Sequence, residues 1–323
     1  MSLLVTGGAG YIGSHVVCQL GEIRDDIIIL DNLSTGRREN VLHGKLIVGD
    51  LGDQYLVESI FAKYNIEAVL NFAGSIVVPE SVINPALYYQ NNTEYTFRLI
   101  KTCLKYKIKK FIFSSTAAVY GMPASGVACE ETPTNPINPY GRSKLMTEWM
   151  LEDIARAHDF SYVALRYFNV AGASVTGKIG QSTPKATHLL KRAAEVVAKK
   201  HVSISIFGTD YPTKDGTCIR DYIHVDDLAR AHLDALAYLD HNLTSQVLNC
   251  GYGYGLSVKE VLDAVELITG EKLKVEYGAR RAGDAVALIS KAQKIKDILG
   301  WIPKYNDIPF IVKSAIDWEM KLK

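Results

Sequence analysis

A tyrosine and a lysine stand four positions apart at the end of the stretch NPINPYGRSK, as Tyr140 and Lys144. Proline does not fit inside a helix and pushes the residue before it towards extended backbone, so Pro139 predicts a helix that begins at Tyr140. Residues four apart on a helix share a face, with Cβ atoms about 5 to 6 Å apart. An ammonium group so close to a phenol favours the phenolate, which makes the pair a candidate general base. The same spacing also occurs by chance on the surfaces of many helices.

Three hydroxyl groups come before this pair in the chain. Ser114, Ser115 and Thr116 follow one another at the end of a predicted strand, and Thr116 lies 24 residues before Tyr140. A threonine in that position can hold a substrate hydroxyl and share its proton with the phenol. Its alternative role is to satisfy local backbone groups at the strand end.

Short apolar segments alternate with amphipathic segments through the first half of the chain. Segments that are apolar on both faces are typical of strands in a covered parallel sheet, and the segments between them predict helices. This alternation predicts an α/β fold with a Rossmann-type doubly wound parallel sheet. The predicted strands span 2–6, 27–30, 45–48, 68–72, 110–114 and 162–168, and the predicted helices span 11–20, 54–64, 86–107 and 140–158.

The alternation holds to about residue 170 and is followed by a polar, glycine-containing loop. We therefore expect a first domain at 1–171 and a smaller α/β substrate-binding lobe at 172–323. Within the lobe we predict a helix at 187–200, a strand at 204–207 and a helix at 224–239. The last of these has an apolar face strong enough to pack back on the first domain.

A glycine loop, TGGAGYIG, lies between the first predicted strand and the first predicted helix. Gly7, Gly10 and Gly13 permit a tight turn, a close approach of the backbone to a pyrophosphate and close packing of the helix on the sheet. The N-terminus of the helix offers unpaired N–H groups to the anion. A loop in this position of a βαβ chain predicts a dinucleotide site.

The ends of later strands carry further candidate ligands. Asp31 ends the second strand, where a carboxylate would accept the ribose 2′-hydroxyl and favour NAD over NADP. Arg37 and Arg38 lie close by and are either solvated or contacts for a 2′-phosphate, which Asp31 would repel. Asp50 either bonds the adenine edge or initiates a turn. Residues 71–74, NFAG, close the fourth strand at the same edge of the sheet.

A nicotinamide at this edge would add a second positive charge beside Tyr140. A free tyrosine has a pKa of about 10, so a base that works at pH 7 needs a lowering of about 3 units, or roughly 4 kcal/mol. At about 5 Å and an effective dielectric constant of about 20, each positive charge supplies roughly 3 kcal/mol. Lys144 and the oxidised nicotinamide are therefore expected to lower the pKa of Tyr140 together.

Composition excludes several classes of function. The 323 residues are 48% hydrophobic and 22% charged with a net charge of +1, so the chain lacks both the signature of disorder and the basic excess of a nucleic-acid-binding protein. The five cysteines show no C-x-x-C spacing, which predicts neither a metal site nor a disulfide framework and favours the cytoplasm. No apolar run reaches about 18 residues, so no membrane span or signal peptide is expected. The expected partners are small molecules.

The motifs together resemble the extended short-chain dehydrogenase/reductase family over essentially the whole chain, and within it the nucleotide-sugar 4-epimerases. The resemblance implies an isomerase that interconverts UDP-glucose and UDP-galactose through a transient 4-keto sugar, with NAD reduced and reoxidised in place and no net redox change. It also implies a homodimer. The matching segments are TGGAGYIGSH, LDNLSTG, FAG, FIFSSTAAVYG, NPYGRSK, LRYFNVAGA, IFGTDYPTKDGTCIRDYIHVDDLA, RRAGD and residues 80–91.

The resemblance implies a role for each matching residue. Tyr140 is implied to be the base, Thr116 its partner, and Lys144 the residue that tunes it while binding the nicotinamide ribose. The implied NAD contacts are Gly7, Gly10, Tyr11, Ile12, Gly13, Asp31, Asn32, Asp50, Leu51, Phe72, Ala73, Gly74, Asn91, Ser114, Tyr140, Lys144 and Tyr167. The implied UDP-sugar contacts are Thr116, Tyr140, Asn169, Ser205, Phe207, Arg220, Arg281, Asp284 and Leu288.

Three places depart from the pattern of the family. Asn84 stands where many members carry a lysine, which removes one cation near the cofactor phosphates. Leu288 stands where members restricted to UDP-hexoses tend to carry a tyrosine, so we hypothesise that UDP-N-acetylglucosamine and UDP-N-acetylgalactosamine are also substrates; alternatively, Leu288 only lines the pocket. The segment PKATHLL, residues 184–190, also differs and receives no assigned contact.

Three other functions remain open. A nucleotide-sugar dehydratase or decarboxylase uses the same tyrosine and lysine but places a carboxylate just after the threonine, where this chain has Ala117 and Ala118. A dehydrogenase with net redox chemistry would exchange its cofactor freely. A non-catalytic NAD-sensing protein of the same fold tends to lose the tyrosine or the lysine, and this chain keeps both.

Overall fold

The computed structural model describes residues 1–184, 186–281 and 283–322. Strands and helices alternate from the first residues onward. The strands are β1 (Ser2–Thr6), β2 (Ile27–Asp31), β3 (Lys45–Val48), β4 (Ile66–Asn71), β5 (Lys110–Ser114), β6 (Val127–Ala128), β7 (Ser161–Tyr167), β8 (Asn169–Ala171), β9 (Ile204–Phe207), β10 (Ile219–Arg220), β11 (Tyr222–His224), β12 (Gln246–Cys250), β13 (Leu256–Ser257), β14 (Val275–Gly278) and β15 (Ala287–Ser290).

The helices fill the intervals between the strands. None of those described is long and apolar enough to cross a membrane. The helices are α1 (Tyr11–Gly21), α2 (Gln54–Lys63), α3 (Val78–Ile83), α4 (Pro85–Tyr88), α5 (Tyr95–Lys105), α6 (Pro139–Ala157), α7 (Leu189–Val197), α8 (Val225–Asn242), α9 (Val258–Thr269), α10 (Gln293–Leu299) and α11 (Ile308–Lys321).

Seven strands form one sheet in the order β12-β7-β5-β4-β1-β2-β3, and every pair in it is parallel. The predicted doubly wound parallel sheet is confirmed. The strand order reverses direction beside β1, so the carboxyl ends of β1 and β4 flank the crevice where ligands bind in such folds. The strand β12 was not predicted, because its few residues follow a long helix and pair with β7 far back in the chain.

Both faces of this sheet are covered by apolar side chains. On one face, Leu3 and Val5 of β1 belong to a core that includes residues of α1 and α8. On the other face, Leu4 of the same strand belongs to a second core with residues of α2 and α5. Burial on both faces explains why the strands read as continuous apolar segments. The helix α8 packs against α1, so this part of the later chain lies on the large sheet.

The later chain also forms smaller sheets. One has the order β13-β10-β15-β6, a second pairs β11 with β8, and a third pairs β14 with β9. A separate apolar core lies among α7, α9 and α11. Because β6 comes from the first half of the chain and β12 from the second, the chain passes between the two regions more than once.

Each predicted helix is observed with bounds that differ by one to three residues, and one of them is divided. The helix predicted at 86–107 is divided into α4, a π-helical turn at Tyr89–Glu94 and α5. The helix predicted to begin at Tyr140 begins one residue earlier, because proline at the first helical position needs no N–H partner. Asn138 caps this helix and accepts a hydrogen bond from the N–H of Gly141. These differences leave Tyr140 in the first turn of α6.

Candidate active site

The glycine loop turns tightly between β1 and α1. Gly7 has φ +70°, and a Cβ added there would lie 2.6 Å from the backbone nitrogen of Ala73. A Cβ added at Gly13 would lie 2.3 Å from the carbonyl oxygen of Gly7. The loop therefore leaves no room for side chains, as a close approach of backbone to a phosphate requires. Gly10 precedes the helix and supplies no side-chain cap, so the N–H groups of the first turn, from Tyr11 on, have no capping side chain and can bind an anion.

The carboxylates predicted for the adenosine end already bind backbone groups. Asp31 is buried and accepts hydrogen bonds from the N–H groups of Ala9 and Leu33, at 2.9 and 2.8 Å. Asp50 accepts a hydrogen bond from Gly52 N–H at 2.7 Å, which is the turn-initiating geometry considered as its alternative role. Its second oxygen accepts a hydrogen bond from the amide of Asn32 at 2.7 Å. Carboxylate oxygens have spare lone pairs, so these bonds leave room for a ribose hydroxyl.

Lys144 and the end of β5 are joined by a direct hydrogen bond. The amine of Lys144 donates to the main-chain carbonyl oxygen of Ser114 at 2.9 Å and lies 4.9 Å from the ring centroid of Phe113. Ser114 Oγ lies 2.7 Å from the hydroxyl oxygen of Tyr167. A Cβ added at Gly74 would lie 3.7 Å from the amine of Lys144, so the end of β4 adjoins the same group. The residues predicted around the nicotinamide therefore do come together.

Tyr140 also lies in this group, and its burial opposes ionisation of the phenol. Among the protein's own groups, burial raises the pKa of Tyr140 and a hydrogen bond with Thr116 opposes that effect. The amine of Lys144 is directed to Ser114, and burial lowers the pKa of Lys144 to about 8. The expected lowering of the pKa of Tyr140 by Lys144 and the oxidised nicotinamide together stays a prediction, and it has to overcome this effect of burial.

The loop after β4 is held by asparagines of the π-helical turn. Asn91 donates to Ser75 Oγ at 2.9 Å. Its neighbour Asn92 is fully buried, accepts from Ser75 N–H at 2.7 Å and donates to Ser143 Oγ at 3.0 Å. Sequence reasoning missed Asn92, which links this loop to α6 one residue before Lys144. The two adjacent asparagines were the available signal in the sequence. They lie in a π-helical turn, a feature that often occurs at functional sites.

The side chain of Tyr11 reaches across to the later chain. Its hydroxyl donates to the carbonyl oxygen of Gly172 at 2.6 Å, so any contact of Tyr11 with a phosphate is left to its backbone N–H. Phe72 follows β4 and packs against the buried His232 of α8, with ring centroids 4.8 Å apart. The predicted residues Ile12, Leu51 and Ala73 pack against the two cores of the large sheet.

Four of the residues predicted to contact the UDP-sugar form two pairs. The guanidinium of Arg281 lies 3.9 Å from the ring centroid of Phe207. The guanidinium of Arg220 lies 3.6 Å from a carboxylate oxygen of Asp284. Both arginines are accompanied by groups that fix their orientation, an arrangement suited to a planar base and a diphosphate.

The other predicted substrate residues are distributed along neighbouring strands. Leu288 of β15 is opposite Arg220 of β10 and packs against a small apolar cluster that contains Ala117 and Leu145. These two residues are the chain neighbours of Thr116 and Lys144, so Leu288 connects the nucleotide end to the catalytic candidates. Asn169 begins β8, and its N–H donates to the carbonyl oxygen of Asp221 at 2.9 Å. Ser205 is exposed on β9, two residues before Phe207. The segment 184–190 includes Lys185, which lies outside the described residues.

Residues 3–251 match the model of the NAD dependent epimerase/dehydratase family. This chain belongs to that family. A UDP-glucose 4-epimerase of Azospirillum brasilense is 50% identical over 322 residues, which cover 99% of this chain and 92% of that protein. The predicted family is therefore confirmed.

Solved structures of other epimerases share the fold closely. The UDP-Glc/GlcNAc 4-epimerase of Campylobacter jejuni is 51% identical with a TM-score of 0.85 and coverage of 98% of both chains. The UDP-glucose 4-epimerase of Brucella ovis, determined in complex with NAD, is 42% identical with a TM-score of 0.94, and the match covers 99% of this chain and 98% of that one. The predicted cofactor of this epimerase-family chain, NAD, is confirmed, and the crowded glycine loop at an uncapped helix start fits its pyrophosphate.

Proposed function

We propose that this chain interconverts UDP-glucose and UDP-galactose by inverting C4 of the hexose. The observation that carries the proposal is the convergence of Tyr140, Thr116 and Lys144 beside the end of β4 and the glycine loop. The relative from Azospirillum brasilense is named for this activity and matches nearly the whole chain. A buried phenol, a hydroxyl and an ammonium at the edge of a dinucleotide site suit removal of a proton from a sugar hydroxyl.

In the proposed reaction, Tyr140 accepts the proton of the sugar O4 and returns it after the ring has turned. Thr116 would support this step, because its hydroxyl acts on the phenol to lower the pKa of Tyr140 and would share the moving proton. Its oxygen also accepts a hydrogen bond from the N–H of Ala118 at 3.1 Å, the local role considered as its alternative. Lys144 would hold the nicotinamide ribose, and its charge would favour the phenolate. NAD, when bound, supplies the acceptor and donor for the hydrogen at C4. Because burial raises the pKa of Tyr140, proton transfer is expected to depend on the positive charges that meet there.

We propose that the cofactor contacts follow the predicted set, from Gly7 to Tyr167, and that 1–171 mainly holds NAD while 172–323 mainly holds the UDP-sugar. Phe207 and Arg281 would contact the faces or the edge of the uracil base, and Arg220 would bind the diphosphate. Asn169, Ser205, Asp284 and Leu288 would complete the substrate pocket. This division suits the reaction, since a firmly held nucleotide allows a loosely held hexose to turn over between two faces.

We propose that N-acetylated UDP-hexoses are also accepted. Leu288 lies in the apolar cluster beside Ala117 and Leu145, where a tyrosine would occupy more of the pocket. The Campylobacter jejuni neighbour, named a UDP-Glc/GlcNAc 4-epimerase, is 51% identical to this chain. Both observations support room for a 2-acetamido group.

We also propose a homodimer in the cytoplasm. The faces of α5 and α6 present Phe97, Met146 and Trp149, which are 39%, 37% and 53% exposed, and a second copy of the same pair of helices would cover them. All five cysteines are free, as suits a reducing compartment. Light scattering of the purified protein tests the dimer, and Phe97→Glu is expected to give the mass of one chain. A single-chain mass for the unaltered protein would contradict it.

Proton NMR tests the proposed reaction directly. Purified protein is incubated with UDP-glucose, and separately with UDP-N-acetylglucosamine, without added cofactor. The anomeric signal of the C4 epimer is expected to grow to a constant ratio in both samples. A stoichiometric build-up of reduced cofactor would instead indicate a dehydrogenase, and loss of water from the sugar a dehydratase. No change in either sugar would contradict the proposal.

A further inference from the structure

A buried ion pair between Glu148 and Arg166 lies one helical turn beyond the Tyr140–Lys144 pair, on the same face of α6. Glu148 follows Lys144 by one helical turn, and its side chain is 4% exposed, while that of its partner Arg166 on β7 is 8% exposed. Arg166 NH2 donates to Glu148 Oε2 at 2.6 Å, and its Nε donates to Oε1 at 3.0 Å. The hydroxyl of Ser115 also donates to Glu148 Oε1. Glu148 is thus bonded to the segment that ends in Thr116 while it shares a helix with Lys144.

Arg166 is fixed on its far side as well. Its NH1 donates to the hydroxyl oxygen of Tyr120 at 2.9 Å, and that hydroxyl donates to Asn249 Oδ1 at 2.6 Å. The guanidinium also lies 4.9 Å from the ring centroid of Tyr120. Asn249 donates in turn to the carbonyl oxygen of Ala128 on β6, at 2.9 Å. The pair joins α6 to β7 and is bonded directly to the segment after β5. Tyr120 and Asn249 tie it further to β12 and β6, so it has little freedom to turn away from Lys144.

Such a pair is a poor means of stabilising a fold. The cost of removing two charges from water often exceeds their attraction, and apolar replacements of similar volume are frequently as stable. A buried ammonium, by contrast, loses its proton readily unless a negative charge lies close by. Burial lowers the pKa of Lys144 to about 8, and the charge of Glu148 opposes that lowering. The carboxylate thus acts on the amine, in addition to bonding its own neighbours.

We infer that Glu148, held by Arg166, is a positioning residue that keeps the amine of Lys144 charged and fixes the segment carrying Thr116. The inference deepens the proposed function and rests on it. Lys144 can attract a nicotinamide ribose and support a phenolate only while it carries its proton. Glu148 touches neither substrate nor cofactor in this role, and acts through Lys144 and Ser115.

The other titratable groups around Lys144 do not supply a second negative charge at neutral pH. The buried phenols on α6 and on the elements packed against it are those of Tyr140, Tyr88 on α4, Tyr167 and Tyr162 on β7, and Tyr120 after β5, and burial raises the pKa of each. The cation on β7 is Arg166 itself. From the ends of β4 and β5 the amine meets Gly74, the carbonyl of Ser114 and the ring of Phe113, which carry no charge. Loss of the negative charge of Glu148 is therefore expected to lower the pKa of the Lys144 amine.

The test is the pH profile of kcat/KM for UDP-glucose in Glu148→Gln. Glutamine keeps the size and an acceptor oxygen but removes the charge, so the pKa of Lys144 falls and its proton is lost at lower pH. The alkaline limb of the profile is expected to move down by about one pH unit. Glu152→Gln is the matched control, since Glu152 lies one turn further along α6 and its side chain is 48% exposed. Its profile is expected to match that of the unaltered protein.

The double variant Glu148→Gln, Arg166→Gln removes both charges and covers the case in which the single variant does not fold. Its alkaline limb is also expected at lower pH than that of the unaltered protein, because the charge of Glu148, which opposes loss of the Lys144 proton, is gone. A limb that stays in place in whichever of these variants folds would overturn the inference. If Tyr140→Phe still loses turnover in that event, the proposed function stands. If Tyr140→Phe keeps full turnover, the proposed function has failed independently.

Discussion

The amine of Lys144 donates its hydrogen bond to the main-chain carbonyl oxygen of Ser114, across a distance of 2.9 Å. This contact ties the first turns of α6 to the end of β5 through a backbone atom of Ser114. Substitution of the Ser114 side chain would therefore leave the acceptor in place. The hydroxyl of the same serine lies 2.7 Å from that of Tyr167. One residue thus positions two of the groups predicted to surround the nicotinamide.

Replacement of Tyr140 by phenylalanine removes the proposed base with little change in volume. Turnover is expected to fall by roughly 10² to 10⁴, the usual contribution of a positioned acid–base group. NAD content should be unchanged, because the amine of Lys144 is held by Ser114 and not by the phenol. Epimer formation by NMR and NAD released on denaturation give the two measurements. Full turnover in the variant would remove Tyr140 from the mechanism.

Gly7→Ala is expected to abolish retention of NAD. The added Cβ would lie 2.6 Å from Ala73 N, so the loop must shift away from the end of β4. Gly270→Ala is the matched control, since Gly270 has a similar φ of +69° but no atom within 4 Å of the added Cβ. The control pays only backbone strain, about 1 to 2 kcal/mol, and should keep its NAD. Equal NAD content in the two variants would contradict the proposed phosphate loop.

Arg281→Ala is expected to raise KM for UDP-glucose by about 10- to 100-fold, the loss of a charge-assisted contact, with a smaller effect on kcat. Arg280→Ala provides the comparison within the same dipeptide. Arg280 binds Asp210 and stacks on Tyr211, away from Phe207. Steady-state kinetics of the two variants should therefore separate. Similar KM values would place the nucleotide elsewhere.

Leu288→Tyr is expected to narrow the substrate range. A larger ring beside Ala117 and Leu145 would take the space proposed for an acetamido group. The ratio of kcat/KM for UDP-N-acetylglucosamine to that for UDP-glucose should fall by about 10- to 200-fold, as for other size-limited pockets. Leu288→Met conserves volume and should preserve the ratio. An unchanged ratio in the tyrosine variant would mean that Leu288 does not set the range.

Acid should destabilise the protein below pH 6.5 through its buried histidines. Burial lowers the pKa of His15 and His232 to about 4 and that of His224 to about 3. The unfolded chain then binds more protons than the folded chain as pH falls from about 6.5 to about 4, so the free energy of unfolding decreases across that window. Burial raises the pKa of Asp221 and Asp226 to about 6, which opposes the trend with fewer groups.

Thermal unfolding at pH 7, 6, 5 and 4 measures this effect. His232→Gln removes one of the three histidines and is expected to lose less stability between pH 6.5 and 4 than the unaltered protein, whatever its stability at pH 7. A parallel dependence in both proteins would show that His232 does not titrate in this window.

Local patterns predicted much of the sheet and of the catalytic group. The strands β1, β2 and β5 are apolar on both faces, and the glycine loop and the Tyr140–Lys144 spacing depend only on neighbouring residues, so each leaves a mark in a short stretch. The family resemblance then supplied distant residues such as Arg281, which local reasoning reads as a solvated charge.

The features that sequence reasoning missed depend on contacts between distant segments. The pairing of β12 with β7 joins residues far apart in the chain, and the hydrophobic pattern of a five-residue strand does not predict which strand it pairs with. Glu148 and Arg166 look like ordinary surface charges of a helix and a strand, because only the packing of α6 on β7 buries them. The effect of burial on the pKa of Tyr140 was missed for the same reason, because desolvation is a property of the assembled site.

The late arrival of β12 sets an order on synthesis. A ribosome releases β7 well before Gln246–Cys250, the only segment that pairs with its open side among the described strands. Until then, unpaired backbone groups line that margin of the sheet. Newly made chains that stop before residue 246 are therefore expected to bind chaperones. The seven-stranded sheet of the NAD-binding half cannot be completed before the later residues have been made.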